Sequence, residues 1–227
     1  ISWLKLNHSG DFRVIEGDIR IDREKLALGV KNADLVLHLA GQVAVTSSVA
    51  DPVSDFEINA RGTLNVLESV RTSGHNPVFI YSSTNKVYGA LEDLSVTETS
   101  TRYVFDNLRF GVAETRCVDF HSPYGCSKGA ADQYVRDYSR IYGLNTIVFR
   151  QSCIYGPHQN GVEDQGWVAW FMIALTQGKR LTIYGNGKQV RDLLHIDDLL
   201  SAYDAAARNI KVTRSQIYNI GGGPKNT

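Results

Sequence analysis

Four short apolar runs, separated by stretches of helical period, constrain this 227-residue chain more than any other feature. They are Phe12-Arg13-Val14-Ile15, Leu35-Val36-Leu37-His38-Leu39, Val78-Phe79-Ile80-Tyr81 and Thr146-Ile147-Val148-Phe149, each bounded by Gly, Asp, Asn or Pro. Runs this short and this continuously apolar fit strands buried on both faces, hence a parallel sheet covered by helices. A helix is marked between the second and third runs. Asp51 is its N-cap and Pro52 its first residue. Phe56, Ala60, Leu64, Leu67 and Val70 follow at steps of three and four, and Gly74 closes it. A second helix, from about Ser127 to Tyr142, places Ala131, Val135, Tyr138 and Tyr142 on one face and ends at Gly143. This alternation predicts a right-handed, doubly wound α/β sheet.

After Arg150 the pattern changes. Gly156-Pro157 breaks the chain, a helix spans about Trp167 to Thr176, a short strand covers Leu181 to Tyr184, and Gly185-Asn186-Gly187 turns. The expected organisation is a sheet domain over 1–155 and part of a smaller lobe over 156–227, with a strand returning to the sheet. The chain opens on Ile1 inside a helix remnant reaching Leu6, and it stops at Gly221-Gly222-Gly223-Pro224 just after an apolar run. Both ends read as cuts in a longer protein.

Charge and composition exclude several roles. The formal net charge is zero and no run of Lys or Arg occurs, which argues against nucleic acid or an anionic membrane surface as partner. No apolar stretch approaches the roughly 20 residues of a membrane span. Cys117, Cys126 and Cys153 are an odd number without metal-ligand spacing, which fits a reducing, cytoplasmic compartment and no metal site.

Two segments carry the chemistry. Ser82-Ser83-Thr84-Asn85-Lys86-Val87-Tyr88-Gly89 stands at the carboxyl end of a strand, where open α/β sheets bind ligands. Ser122-Pro123-Tyr124-Gly125-Cys126-Ser127-Lys128-Gly129 opens a helix with Tyr124 and Lys128 at i and i+4, about 5–6 Å apart at Cβ. A free phenol titrates near pH 10 and is a poor base at neutrality. A neighbouring ammonium, and the positive charge of an oxidised nicotinamide, favour the phenolate. Thr84 stands where it can hydrogen-bond the same substrate oxygen. Taken alone, the Tyr/Lys spacing more often describes a solvated helix face, and the hydroxyl cluster is also what a common Ser/Thr turn looks like.

The order of motifs along the chain separates these readings. Ser82-Ser83-Thr84 with Val87-Tyr88-Gly89, then Ser122-Pro123-Tyr124 with Lys128, then Arg150 with Tyr155-Gly156-Pro157, then Arg191-Asp192 with His195-Ile196-Asp197-Asp198 resembles the extended short-chain dehydrogenase/reductase family, in its branch acting on nucleotide sugars. The strings His121 to Tyr134 and Asp164-Gln165-Gly166-Trp167 are similar to a subgroup of CDP-sugar 2-epimerases. The resemblance implies a Rossmann-type sheet, truncated at the N-terminus, with part of a small C-terminal substrate lobe. It also implies NAD as cofactor, a nucleotide sugar (a CDP-sugar) as substrate, and a homo-oligomer formed through the helices at about 52–73 and 127–142.

Site roles follow from the same resemblance. Tyr124 is the base, Lys128 its charge partner and a ligand of the nicotinamide ribose, and Thr84 the hydroxyl that orients the sugar alcohol. Asp18 and Ile19 flank the adenine. Leu39, Ala40 and Gly41 lie along the cofactor, and Tyr81 and Ser82 line its nicotinamide side. Asn85, Cys153 and Arg191 face substrate, Cys153 through its backbone and Arg191 toward the diphosphate. Sugar-nucleotide dehydratases of the family carry an Asp-Glu pair after the Thr. Here Asn85 and Lys86 stand there, and neither replaces the acid and base that loss of water requires. Asn59 and His38 read as buried structural residues, His195 as a helix-entry contact, and Asp197 and Asp198 as N-cap residues. The glycine-rich phosphate loop and the first strand of the family do not occur in the sequence, so weak binding of NAD by this chain is expected.

Overall fold

The structure, a computed structural model, describes residues 2–7, 12–108 and 110–223. In chain order its elements are α1 (Ser2–Asn7), α2 (Arg23–Val30), β1 (Leu35–His38), α3 (Val45–Ala50), α4 (Pro52–Phe56), a π-helical turn (Glu57–Arg61) and α5 (Gly62–Thr72). Next come β2 (Val78–Thr84), a 3-10 turn (Asn85–Tyr88), β3 (Val96–Glu98), β4 (Tyr103–Phe105), α6 (Ser122–Tyr142), β5 (Asn145–Gln151) and β6 (Cys153–Tyr155). The last are α7 (Trp167–Thr176), β7 (Leu193–His195), α8 (Ile196–Arg208), α9 (Ile210–Thr213) and β8 (Ile217–Ile220).

The main sheet is parallel in the order β1-β2-β5-β8, with Leu35 opposite Val78, Val78 opposite Asn145 and Val148 opposite Ile217. Side chains alternate across it. Phe79, Tyr81 and Val148 face one core with Val30 of α2, Leu67 and Val70 of α5, and Val135 of α6. Ile80, Ile147 and Phe149 face the opposite core with Leu199, Tyr203 and Ala206 of α8. Helices on both faces make the sheet doubly wound, as the sequence pattern predicts. A separate two-stranded parallel pair, β6 with β7, starts where the chain leaves the sheet and holds Cys153 opposite Leu193.

Three expectations change. Residues 12–15 form no strand and pair with none of the described strands; Val14 is exposed, and β1 is an edge of the described sheet. Apolar content alone cannot make a strand without a ladder partner. Residues 181–184 likewise form no strand, with Ile183 and Tyr184 solvent-facing. The helix from Asp51 begins as expected, the Asp51 carboxylate accepting from Ser54 N at 3.0 Å, but it does not keep one register. Its middle is a π turn in which Gly62 N–H donates to Glu57 O. The extra residue in that turn rotates the preceding helix by roughly one position, about 100°. Asp55 and Asn59 therefore turn inward, each about 1% exposed, and Phe56, expected on the core face, is 53% exposed.

The bulge gives a direct stability test. Leu67→Ala should cost about 2–5 kcal/mol in urea unfolding, because Leu67 is fully enclosed. Phe56→Ala should change stability by no more than about 0.5 kcal/mol. Equal losses at the two positions would place Phe56 in the core and refute the rotated register.

Candidate active site

The carboxyl end of β2 holds the hydroxyl cluster. Ser83 and Thr84 are buried, and Thr84 caps the 3-10 turn by accepting from Lys86 N at 3.2 Å. Asn85 and Lys86 lie in that turn with exposed side chains. The first turn of α6, entered at Pro123, brings Tyr124 and Lys128 to the same strand end. The Lys128 ammonium donates to Ser82 O at 2.6 Å and lies 4.3 Å from the centre of the Tyr81 ring.

Both groups are buried and both are pushed toward their neutral forms. Burial raises the Tyr124 phenol, while its hydrogen bond with Thr84 works the other way and the Asp55 charge raises it further. Burial drives Lys128 down to about 7, against the attraction of Asp132 and Asp55. A buried phenolate and a buried ammonium are each costly alone; ionised together they offset one another.

Two buried polar networks hold this turn in place. In the first, Arg150 Nε and Nη2 each donate to Asp132 at 2.9 Å, and Ser83 Oγ donates to the same carboxylate at 2.7 Å. Arg150 Nη1 donates to Tyr88 Oη, and Tyr88 Oη donates to Asn219 Oδ1, both at 2.8 Å. In the second, Thr63 Oγ1 donates to Asn59 O at 2.5 Å, which leaves His38 Nε2 to donate to Thr63 at 2.9 Å. The Asn59 amide donates to Asp55 and to Ser127, both at 3.1 Å, and its oxygen accepts from Gln42 N at 2.9 Å. Ser127 Oγ donates to Asp55 Oδ2. Sequence reasoning missed Asp55, Thr63, Ser127 and Asp132. Asp132 carried a signal, standing one helical turn beyond Lys128 as Lys128 stands one turn beyond Tyr124.

The residues expected to line the cofactor are distributed as follows. Leu39 and Ala40 are exposed just past β1, and Gly41 packs so closely that a Cβ there would lie 2.9 Å from Asn59 Oδ1 and 3.9 Å from Lys128 Nζ. Ser82 is half-buried, its hydroxyl donating to Gln151 at 3.1 Å. Tyr81 is enclosed in the core, stacked on His38 at 5.6 Å, so its side chain presents no surface for the cofactor side. Asp18 and Ile19 line a cavity of about 340 Å³ between residues 15–19, α2 and β1. Arg20 pairs with Asp18 at 2.6 Å and holds that carboxyl down to about 2. Asn65 donates to the carbonyls of Ile19 and Arg20, fixing this segment on α5.

On the substrate side the β6–β7 pair joins Cys153 to the Arg191 loop, Cys153 N donating to Asp192 O at 3.2 Å. Arg191 is exposed and donates to Val190 O. The described contacts do not bring Asn85 to either residue. His195, not Asp197 or Asp198, is the N-cap of α8: its Nδ1 accepts from Asp197 N at 3.3 Å, and both aspartates sit within the first turn. Among the described residues no cluster of His, Cys, Asp or Glu could hold a metal ion, and no helix is long and apolar enough to cross a membrane.

Comparison with known proteins agrees with this geometry. Residues 3–221 match the NAD dependent epimerase/dehydratase family. The chain is 52% identical to CDP-paratose 2-epimerase of Salmonella typhi, covering 98% of this chain and 67% of that protein. It resembles the UDP-glucose 4-epimerase of Thermotoga maritima solved with UDP-glucose (31% identity, TM-score 0.73, 91% of this chain and 62% of that one). It also resembles the dTDP-glucose 4,6-dehydratase DesIV of Streptomyces venezuelae solved with NAD bound (28% identity, TM-score 0.78, 96% and 61%). The chain thus spans about two thirds of the length of three curated epimerases and 52–57% of that of three curated dTDP-glucose 4,6-dehydratases.

His38 gives the site a measurable acid sensitivity. Burial, with the Lys128 charge second, holds its imidazole down to about 3. An unfolded histidine titrates near 6.5. Below that pH the unfolded chain takes up a proton that the folded chain refuses, so stability falls as pH drops from about 6.5 toward 3. Urea midpoints across this range should fall less steeply in His38→Asn. A His38 imidazole titrating near 6.5 by NMR would overturn the assignment.

Proposed function

The chain belongs to the NAD dependent epimerase/dehydratase family, and on that premise we propose that it is the core of a nucleotide-sugar 2-epimerase converting CDP-paratose to CDP-tyvelose. One observation carries this reading: Thr84, Tyr124 and Lys128 gather at one strand end, and the two positions that follow Thr84 hold Asn85 and Lys86. That is a complete set for moving a proton on and off a sugar hydroxyl and an incomplete set for eliminating water. The 52% identity to a CDP-paratose 2-epimerase supports the choice of sugar and of C2.

The residues fit the nicotinamide half of the cofactor. A Cβ at Gly41 would strike Asn59, so a bare backbone stands there beside the Lys128 ammonium, next to the exposed strand end of Leu39 and Ala40. Lys128 is the ligand for the ribose, with the Ser82 backbone beside it. Asp18 and Ile19 are the residues for the adenine side. When bound there, NAD would supply the acceptor and donor of the C2 hydride. Tyr124 accepts the C2 hydroxyl proton as the sugar becomes a 2-ketone and gives it back after the sugar has turned its other face. Thr84 holds the C2 oxygen in line with the phenol. Lys128, drawn toward its charged form by Asp132 and Asp55 against burial, offsets the phenolate when ionised. Arg191 is assigned to the nucleotide diphosphate and the Cys153 backbone to a substrate contact.

Two wider readings accompany this. Val53, Phe56, Tyr134 and Ile141 on α4 and α6 are large apolar side chains left open, which supports association of two copies through these helices. Cys117, Cys126 and Cys153 form no disulfide, which supports a cytoplasmic setting.

The full-length protein should interconvert CDP-paratose and CDP-tyvelose with no net NADH, and Tyr124→Phe in it should lose roughly 10²–10⁴-fold in rate. Tyr124-dependent inversion at C4 of a UDP-sugar, without inversion at C2, would replace this reading with a 4-epimerase. In a thermal melt, NAD should barely move the midpoint of this 227-residue chain, because its residues include no glycine-rich loop for the pyrophosphate. A rise of several degrees would show that the cradle is sufficient as it stands.

A further inference from the structure

Asp55 is a carboxylate with no evident reason to be inside. It is about 1% exposed, and among the described residues it makes no direct ion pair. Its two oxygens accept from Asn59 Nδ2 and from Ser127 Oγ. Lys128, the next residue after Ser127, is the matching anomaly: a buried ammonium whose hydrogen bond goes to a carbonyl and whose other neighbour is the face of Tyr81. Unpaired buried charges of either sign are costly, and two of opposite sign in one site reduce each other's cost.

The hydrogen bonds also fix an orientation. Both amide protons of Asn59 are used, one on Asp55 and one on Ser127. Its oxygen is thereby directed at Gln42 N and lies against Gly41. Turning the amide over would set that oxygen against the Asp55 carboxylate, so the carboxylate selects one orientation. Ser127 Oγ also contacts Tyr124 O at 3.2 Å, which ties the same carboxylate to the turn bearing the phenol.

We propose that Asp55 is a positioning residue of this site: through Asn59 it sets the Gly41–Gln42 turn, through Ser127 it sets the Tyr124–Lys128 turn, and its negative charge faces the Lys128 ammonium. The proposal rests on the epimerase reading in giving Tyr124 and Lys128 their chemical roles. Lys128 and Tyr124 from α6 and Tyr81 from β2 feel this charge; Lys128 in turn acts on His38 of β1 and is drawn by Asp132 of α6, which is bound to Arg150 of β5. The Asp55 charge favours the protonated form of both Lys128 and Tyr124.

The sign of the effect separates electrostatics from simple damage. Removing the charge in Asp55→Asn lowers the proton affinity of Lys128 and of Tyr124 together. Damage that admits water would instead raise Lys128 toward its free value while lowering Tyr124. The experiment is a carbon-13 NMR titration of the chain labelled at lysine Cε and tyrosine Cζ, with Lys128→Arg and Tyr124→Phe used for assignment. In folded Asp55→Asn both titrations should move to lower pH, Lys128 by about one unit, and Asp55→Glu should restore them. Lys128 unmoved or raised would overturn the proposal. Should Asp55→Asn not fold, the wild-type chain decides. Its Asp55 carboxyl carbon should be ionised where Lys128 titrates and should register that titration. A protonated Asp55, or one blind to Lys128, would overturn the proposal. These titrations use neither cofactor nor sugar, so they fail independently of the turnover assay.

Discussion

The ion pair between Arg150 and Asp132 is the interaction on which the rest of the site depends. Its side chains are 2% and 0% exposed, so neither charge has water to fall back on. Such a pair contributes little net stability after its desolvation cost, but removing either partner leaves a bare charge inside. Its geometry is therefore strict. Arg150 lies on β5, Asp132 on α6 and Ser83 on β2, and Tyr88 carries the chain of bonds onward to Asn219 on β8. A slip of any one of these elements would break a charged hydrogen bond. The strand end bearing Thr84 and the helix bearing Tyr124 and Lys128 are thus locked in register by a group that takes no proton from substrate.

A second lock comes from the opposite side and is made by a helix defect. Between α4 and α5 the π turn spends one extra residue, and the helix surface changes across it. Below the turn, Leu67 and Val70 supply apolar contacts; Asp55 above it and Asn59 within it present polar atoms to α6. An unbroken α-helix would have put Phe56 in that space. The core would have been greasier and the Gly41–Gln42 turn would have had no partner for its Gln42 N–H. The defect converts a packing helix into one that packs at one end and positions at the other.

How much of this was legible in the sequence follows from the range of each interaction. β1, β2, β5, α6 and α7 were visible because apolar continuity or period is a local property and burial enforces it. The phenol, ammonium and hydroxyl of the site were visible because spacing on a helix and position at a strand end are local too. The strand reading at residues 12–15 and 181–184 failed because a strand is a pairing, and no sequence window contains its partner. Phe56 was misplaced because the π turn answers to the Asn59–Asp55–Ser127 contact, which links α4 to a helix far along the chain. Tyr81 was assigned to a ligand face by its neighbours in the motif, whereas strand alternation puts its ring on the core side with Phe79. The N-cap of α8 fell to His195 because its ring nitrogen reaches Asp197 N before either aspartate side chain is needed.

The same scaffold resembles solved 4-epimerases and dehydratases, and the structure shows why one fold accommodates both chemistries. The turn after Thr84 is closed by a bond from the Lys86 backbone N–H to the Thr84 hydroxyl. Val87 and Tyr88, which follow, are buried and tied into the core and the Arg150 network. The side chains of Asn85 and Lys86 take no part in either fastening and point to solvent. Their identities are therefore free of the fold. An acidic pair placed there would leave the backbone turn intact; on the proposed reading it would add the proton transfers that dehydration needs, which an amide and an ammonium do not supply. On that reading, the reaction type is set at two positions where the fold has no stake, and the proton-handling core is set where stability and chemistry are the same hydrogen bonds.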